Sequence, residues 1–396
     1  MIEKIKNNKY ILLIGLFFIV RIVIGYLYYN YDDLYIFNFR WVNMLNENGL
    51  FNIYSIKTEQ YDVDYPPLFI ILLYIIKKPA IYFNSAGLGG FFQLTMKSLS
   101  LICDLIITII VYKKYSPKAA LLWAINIAVI INTAMWGQTD IILGLFMILM
   151  FIAMKEEKTK LAGIYFALCC LTKLQGCYLL PVYLLYLVVA KNDIKEKVLS
   201  FIYGLSTGIL MWLPFMIADK DILLPFKIYL GGFVKYNQFN LGAANFWYFL
   251  VRQDYSGIFN YIGPLILMIC ILLFIISYRK TKDILLSSTF YFFTIFMFTF
   301  SQRERYCIYT MIILYILYIY RQNKNYLYYY ISMFIGIAFN QIGNLINNNY
   351  VLEHYLSTNE VTNMSGMVFY TTLVSLFINI ILYLEFIKII KKKKGC

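Results

Sequence analysis

The chain has 396 residues, of which 61% are hydrophobic, 19% aromatic and only 14% charged, a balance far outside the soluble range that places it among polytopic membrane proteins. Its formal charge of +14 would suggest nucleic acid in a soluble protein. Here the basic residues cluster between apolar runs, the pattern of cytoplasmic loops, so a nucleic-acid partner is excluded. Cys103, Cys169, Cys170, Cys177, Cys270 and Cys307 fall in or beside apolar runs without C-x-x-C spacing, and Cys396 ends the chain without a prenylation box. Neither a disulfide framework nor a metal site is expected.

In chain order, residues 1–9 are short and basic, and the apolar stretch 10–29 is long enough to cross roughly 30 Å of hydrocarbon at about 1.5 Å per residue. It has no small-residue cleavage site, so it reads as a retained anchor with a cytoplasmic N-terminus. The polar interval 30–68 then faces outward. Within it Leu34, Phe37, Trp41 and Leu45 recur at helical spacing and Asn48-Gly49 offers a left-handed stop, which predicts an amphipathic surface helix over about 33–47. Asp64-Tyr65-Pro66-Pro67-Leu68 makes a rigid corner, because two prolines fix φ and hold Tyr65 extended. The apolar run 68–76 is too brief to cross, and the interval to about 90 is expected to form surface helices.

Further spans are expected at 91–112, 118–135, 138–154, 160–175, 177–190, 198–217, 258–277, 284–301, 306–320, 326–342 and 367–387. The fold predicted is an all-α polytopic membrane domain of about twelve transmembrane helices with both termini cytoplasmic. It divides into a half over 1–217 with outer loop 30–90 and a half over 218–396 with outer loop 218–257. The positive-inside bias supports this topology: Lys4, Lys6 and Lys9, Lys113 and Lys114, Lys155 and Lys158, Arg279 and Lys280, and Lys388 with Lys391 to Lys394 all fall on the cytoplasmic side.

Residues that break the pattern carry the functional signal, since an ionisable group within a span is costly and usually pairs or serves a site. Asp32 and Asp33 stand where the first span emerges, and one of them suffices to cap the surface helix. Lys97 and Asp104 lie two helical turns apart and share a face, which predicts a structural pair. Trp136-Gly137-Gln138-Thr139-Asp140 is a polar break between apolar runs, and Lys173 with Gln175 ends the next outward span at the same depth; a Lys173–Asp140 pair would satisfy both charges. Ser301-Gln302-Arg303-Glu304-Arg305-Tyr306 places two arginines on the outer face against the charge trend, which asks for an anion, and a guanidinium fork suits phosphate. Asp62 and Asp64 are the other two aspartates of the first outer loop. In the second outer segment, Asn245 and Trp247 have the character of sugar-contacting residues. The set fits chemistry on a lipid-borne phosphate substrate: a carboxylate takes a proton from an attacking hydroxyl while fixed cations hold the departing phosphate.

Asp32-Asp33 after the first span, Asp64-Tyr65-Pro66-Pro67-Leu68, Lys97 with Asp104, Gly137-Gln138, Thr172-Lys173, Asn245-Phe246-Trp247 and Arg303-Glu304-Arg305-Tyr306 together resemble the GT-C superfamily of integral-membrane glycosyltransferases. Within it the chain is most similar to the bacterial group related to GPI-anchor mannosyltransferases and to endoplasmic-reticulum glucosyltransferases with a D-Y-P-P-L signature. The resemblance runs from the first span to about residue 306. It implies a polyprenyl-phosphate sugar donor, a glycan, lipid-linked or protein acceptor, inversion at the anomeric carbon, no metal or other cofactor, and a bacterial plasma membrane. It places the base on Asp33 or Asp32, with Asp33 preferred. The donor phosphate falls to Arg303, Arg305 and Lys173, and substrate contacts to Asp64, Gln138, Asp140, Gln175, Asn245, Trp247 and Glu304. The family often reads His-Glu-Arg-Tyr where this chain has Arg303-Glu304-Arg305-Tyr306, and the only histidine is His354.

Two other classes use similar features. A transporter or flippase of lipid-linked sugars would show internal repeats with broken helices at matching positions, and no such repeat is present. A glycan polymerase or ligase would carry arginines in a large late outer loop, and the segment 343–366 has none.

Overall fold

The computed structural model describes residues 2–56, 63–250, 253–358 and 366–392. Asp62, Lys393, Lys394 and Cys396 lie outside these residues, as do the side chains of Asp32 and His354. The chain is an all-α polytopic membrane protein. Among the described residues six helices are long and apolar enough to cross a bilayer, or seven if one bent pair is a single span. The chain divides into two compact units, Met1–Tyr183 with Val189–Val234 and Leu184–Val188 with Lys235–Cys396.

The first unit begins with α1 (Ile2–Leu27), a π-helical turn over Asp32–Phe39 and α2 (Arg40–Asn48), which stops at Gly49 with φ 80°. There follow α3 (Pro67–Ser85), α4 (Gly89–Lys114), α5 (Pro117–Ala124) and α6 (Ile127–Ile130). A second π-helical turn over Ile131–Trp136 leads to α7 (Asp140–Lys155), α8 (Thr159–Thr172), a 3-10 turn over Leu174–Leu179, α9 (Leu180–Val189), α10 (Ile194–Asp219) and α11 (Leu224–Val234). The helix predicted over about 33–47 is therefore present, but its first turns are π-helical. Its N-cap is Tyr31, which makes no side-chain capping bond.

α1 and α4 run antiparallel and are fastened at three depths. The Asn30 backbone N–H donates to Gln93 Oε1 at 3.1 Å, Lys97 Nζ donates to the Gly25 and Tyr28 carbonyls at 3.2 and 2.5 Å, and Arg21 Nε donates to Asp104 Oδ2 at 2.7 Å. The expected Lys97–Asp104 pair is not formed. The ammonium instead covers carbonyls left open at the C-terminus of α1, where a cation is favoured, and Asp104 serves Arg21. All three side chains are fully buried, so each must find its partner inside the protein.

The span expected at 118–135 is broken. α5 starts on a Ser116 cap, whose side chain accepts from Ala119 N, with Pro117 in its first turn. It ends at Ile125, because Asn126 Oδ1 accepts from Val129 N at 3.1 Å and opens a new helix. The two pieces meet at 55°. Arg21 Nη1 donates to the Ala124 carbonyl at 2.7 Å and Trp123 Nε1 donates to Asp104 Oδ1 at 2.7 Å, so the break has buried protein partners.

α3 is longer than the surface segment expected at 68–76: it continues through Lys77-Lys78-Pro79 to Ser85, and its 19 residues pass the test for a span by length and composition. Its partners define its place. Phe69, Ile70 and Leu73 share one buried cluster with Phe92 and Met96 at the start of α4, Ile142 at the start of α7, Leu171 at the end of α8 and Phe215 at the end of α10. All of these belong to the end of the helices where α1 finishes, so α3 packs at that end.

The second unit comprises β1 (Asn240–Leu241), α12 (Phe259–Thr281), α13 (Ile284–Phe298), β2 (Gln302–Arg303), α14 (Cys307–Arg321), α15 (Lys324–Thr358) and α16 (Gly366–Lys392). Asp283 Oδ1 caps α13 by accepting from the Leu285 and Leu286 N–H groups at 3.1 and 3.2 Å. Its Oδ2 takes Arg321 Nη2 at 2.6 Å, which ties the α13 start to the α14 end. α15 runs past the predicted end at 342 to Thr358. Between 344 and 358 the sequence has neither Pro nor Gly; hydropathy marks where the apolar run stops, and only a breaker would stop the helix.

Candidate active site

The first unit gathers the predicted polar residues at the end of α1. Asp33 lies in the first π-helical turn and is half-buried. Its Oδ2 accepts from Trp136 Nε1 at 2.5 Å and from Gln138 Nε2 at 2.7 Å. No hydrogen bond or ion pair reaches Oδ1 among the described residues. A carboxylate held through one oxygen, with the other accessible, is the form a general base needs.

Both donors come from the turn that follows the broken span. There Gly137 adopts φ 74°, ψ 32°, the left-handed conformation that L side chains rarely tolerate. A Cβ at this position would stand 2.8 Å from Lys97 Cγ and 2.9 Å from Leu34 Cδ1, and Lys97 is fixed at its tip by two carbonyls. Gly137→Ala is therefore expected to destabilise the protein by about 1–3 kcal/mol and to lower transfer; an unchanged thermal unfolding midpoint in the purified variant would contradict this packing.

The neighbouring charges form a chain of contacts. Lys173 Nζ donates to Asp140 Oδ1 at 2.7 Å, both groups being buried, and Asn132 Nδ2 donates to Asp140 Oδ2 at 3.1 Å. The pair predicted across α7 and α8 is present. The Lys173 ammonium is thus neutralised by Asp140, which also holds Asn132. Gln138 is held in the same way, its amide nitrogen engaged by Asp33 and its backbone carbonyl by Ser100 Oγ at 2.5 Å.

The Asp64 corner stands beside this chain. Lys173 Nζ lies 5.9 Å from the Tyr65 ring centroid, and Tyr65 packs on Trp41 at 5.4 Å between centroids. Pro66 has φ −63° and ψ 163°, as the motif requires. Tyr54 Oη donates to the Tyr65 carbonyl at 2.7 Å. Burial, and then the nearby Asp64 carboxylate, push the Tyr54 hydroxyl well above its usual range, so it stays protonated and remains a donor. Gln175 lies in the 3-10 turn after Lys173; its buried Oε1 has no hydrogen-bond partner among the described residues.

The arginine motif belongs to the second unit. Strands β1 and β2 pair in parallel, Asn240 opposite Gln302 and Leu241 opposite Arg303. Arg305 Nη1 donates to Glu304 Oε1, and both side chains are buried, so this arginine, like Lys173, carries a carboxylate partner. Arg303 is half-buried with its guanidinium carbon 5.0 Å from the Tyr236 ring centroid, and it makes no ion pair among the described residues. It is the cation of the motif that an anion can still engage.

Asn245 and Trp247 both help to build the loop of the second unit. Asn245 Oδ1 accepts from Asn240 Nδ2 at 2.6 Å and Trp247 N at 3.0 Å, and its Nδ2 donates to the Phe296 carbonyl at 2.9 Å. Trp247 Nε1 donates to the Phe298 carbonyl at 2.7 Å, and its ring stacks on Phe239 at 5.5 Å. Sequence reasoning missed Arg21, Asn30, Asn132 and the role of Trp136. Arg21 was legible as an ionisable group inside the first apolar run; the other three have no signature outside their contacts.

Residues 64–301 match the family model described as glycosyltransferase family 87, more than half of the chain. The chain belongs to glycosyltransferase family 87. No curated protein matches it. Membership makes the protein a membrane-embedded sugar transferase, which acts on a sugar donor and an acceptor at the bilayer. The family 87 match opens on Asp64 and closes on Ser301, so it contains the Trp136–Asp140 turn and Lys173, ends just before Arg303 and begins well after Asp33.

Proposed function

We propose that this family 87 protein is an inverting glycosyltransferase that moves a hexose from a polyprenyl-phosphate sugar to a hydroxyl acceptor, with Asp33 as general base. The observation that carries the reading is Asp33 itself: an acid fixed through Oδ2 by two N–H donors, with Oδ1 open, at the end of the helices where the family motif residues collect. In the step proposed, Oδ1 takes the proton of the acceptor hydroxyl, the acceptor oxygen bonds to the anomeric carbon, and the bond from that carbon to the phosphate oxygen breaks. Polyprenyl phosphate leaves as a stable anion, so no general acid is required. Sugar hydrolases need two carboxylates because an alkoxide leaves poorly; here one suffices.

We assign the donor phosphate to Arg303, whose guanidinium has no carboxylate partner among the described residues. The resemblance to GPI-anchor mannosyltransferases suggests mannose as the hexose to try first, while Asp64 to Leu68 carry the signature of the endoplasmic-reticulum glucosyltransferases. About twelve crossings, an outward-facing site, cytoplasmic termini and a bacterial plasma membrane complete the proposal. The donor assignment is tested by Arg303→Ala: the apparent KM for a polyprenyl-phosphate sugar should rise about tenfold or more, as expected for a lost charge-assisted contact, with the acceptor KM unchanged. An unaltered donor KM would remove Arg303 from the site.

A further inference from the structure

Three groups have no chemical step assigned above: the buried Arg21–Asp104–Trp123 cluster at the break between α5 and α6, the carboxamides that brace Gly242 in the second unit, and the Trp136–Gly137–Gln138 turn. The turn carries an inference. We propose that Trp136 and Gln138 are positioning residues for the transfer reaction: they grip Oδ2 of Asp33 and thereby present Oδ1 to the acceptor hydroxyl. This rests on the reading of Asp33 as the base.

The argument is one of immobilisation. Two donors on one oxygen fix a carboxylate in rotation as well as position, but only if the donors are themselves held. This turn is held at each peptide. The Trp136 carbonyl accepts from Asn30 Nδ2 at 2.7 Å, and the Gly137 N–H donates to the Asn132 carbonyl. The Gln138 N–H also donates to the Asn132 carbonyl, at 2.9 Å, and the Gln138 carbonyl accepts from Ser100 Oγ at 2.5 Å. Trp136 is 1% exposed and Gln138 5%. Asn132 in turn anchors on Asp140, which is locked by Lys173. A π-helical turn adds one residue to the helix just before Gly137, and such insertions re-aim side chains at functional sites. A preorganised set of this kind is what keeps a reacting group within a fraction of an ångström of its productive place. The indole and the amide therefore act on the reaction through Asp33, without touching sugar.

The experiment uses the full-length protein in lipid nanodiscs, with short-chain polyprenyl-phosphate mannose as donor and octyl mannoside as acceptor probe, and reads release of polyprenyl phosphate. Gln138→Met and Trp136→Phe are each expected to lower kcat about ten- to a hundredfold, with both KM values within about twofold of wild type. In an Asp33→Glu background, Gln138→Met should cost less than about twofold more, because residues acting as a unit are not additive. A raised KM with kcat retained would make Gln138 a substrate contact and overturn the proposal, as would unchanged kinetics in both variants. Should a variant fail to fold, the indole N–H resonance of Trp136 in 15N-labelled protein gives an independent reading. It should shift between wild type and Asp33→Asn, and an unmoved resonance also overturns the proposal. Full transfer by Asp33→Asn would remove the base reading; an inactive Asp33→Asn beside an unaffected Gln138→Met would remove the positioning role alone.

Discussion

Asp33→Asn is expected to lower sugar transfer by about a hundred- to ten-thousandfold, the usual contribution of a positioned general base, while leaving insertion and the thermal unfolding midpoint near wild type. The amide keeps the size of the carboxylate, and its oxygen can still accept from Trp136 or Gln138, so the turn stays in place. What the variant loses is a lone pair basic enough to take a proton. A glutamate would keep that basicity but move it by one methylene, so Asp33→Glu should retain part of the activity. Full transfer by Asp33→Asn would move the base elsewhere, first to Asp32 or Asp64.

The second large effect concerns stability. Lys173→Met removes the partner of Asp140, whose side chain is fully buried, and leaves a carboxylate with only Asn132 and its other neighbours inside the protein. Breaking a buried pair from one side costs about 3–5 kcal/mol, which should appear as a marked fall in the unfolding midpoint of the purified protein. Lys173→Met combined with Asp140→Asn should recover much of that loss, because the uncompensated charge is gone. If Lys173 were instead a phosphate ligand, Lys173→Met would raise the donor KM and leave the midpoint alone. That outcome would restore the role read from the sequence and sink the one read from the structure.

These two residues mark what a sequence can reveal here. Lys173 and Asp140 were legible as partners because two opposite charges at one depth in adjacent apolar helices have few other choices. Asp64 to Leu68 was legible because proline dictates its own backbone, and Asp33 because an acid follows the first apolar run. Lys97 and Asp104 misled for the opposite reason: spacing along one helix places two groups on one face but is silent about the helix that packs there, and α1 brought both a guanidinium and open carbonyls. Asn245 and Trp247 have the same composition whether they bind a sugar or build a loop, and their bonds to the Phe296 and Phe298 carbonyls have no signature in the sequence. The π-helical turn before Gly137 has no signature in hydropathy, so Trp136 remained a bystander until its indole was found on Asp33.

The most direct measurement incubates purified protein in nanodiscs with polyprenyl-phosphate mannose and, in parallel, with GDP-mannose, and follows release of polyprenyl phosphate or GDP in the presence of a hydroxyl acceptor. The account predicts release from the polyprenyl donor by wild type, at most a trace of it with Asp33→Asn, and none from the nucleotide sugar. Consumption of GDP-mannose, or equal release by wild type and Asp33→Asn, would contradict it.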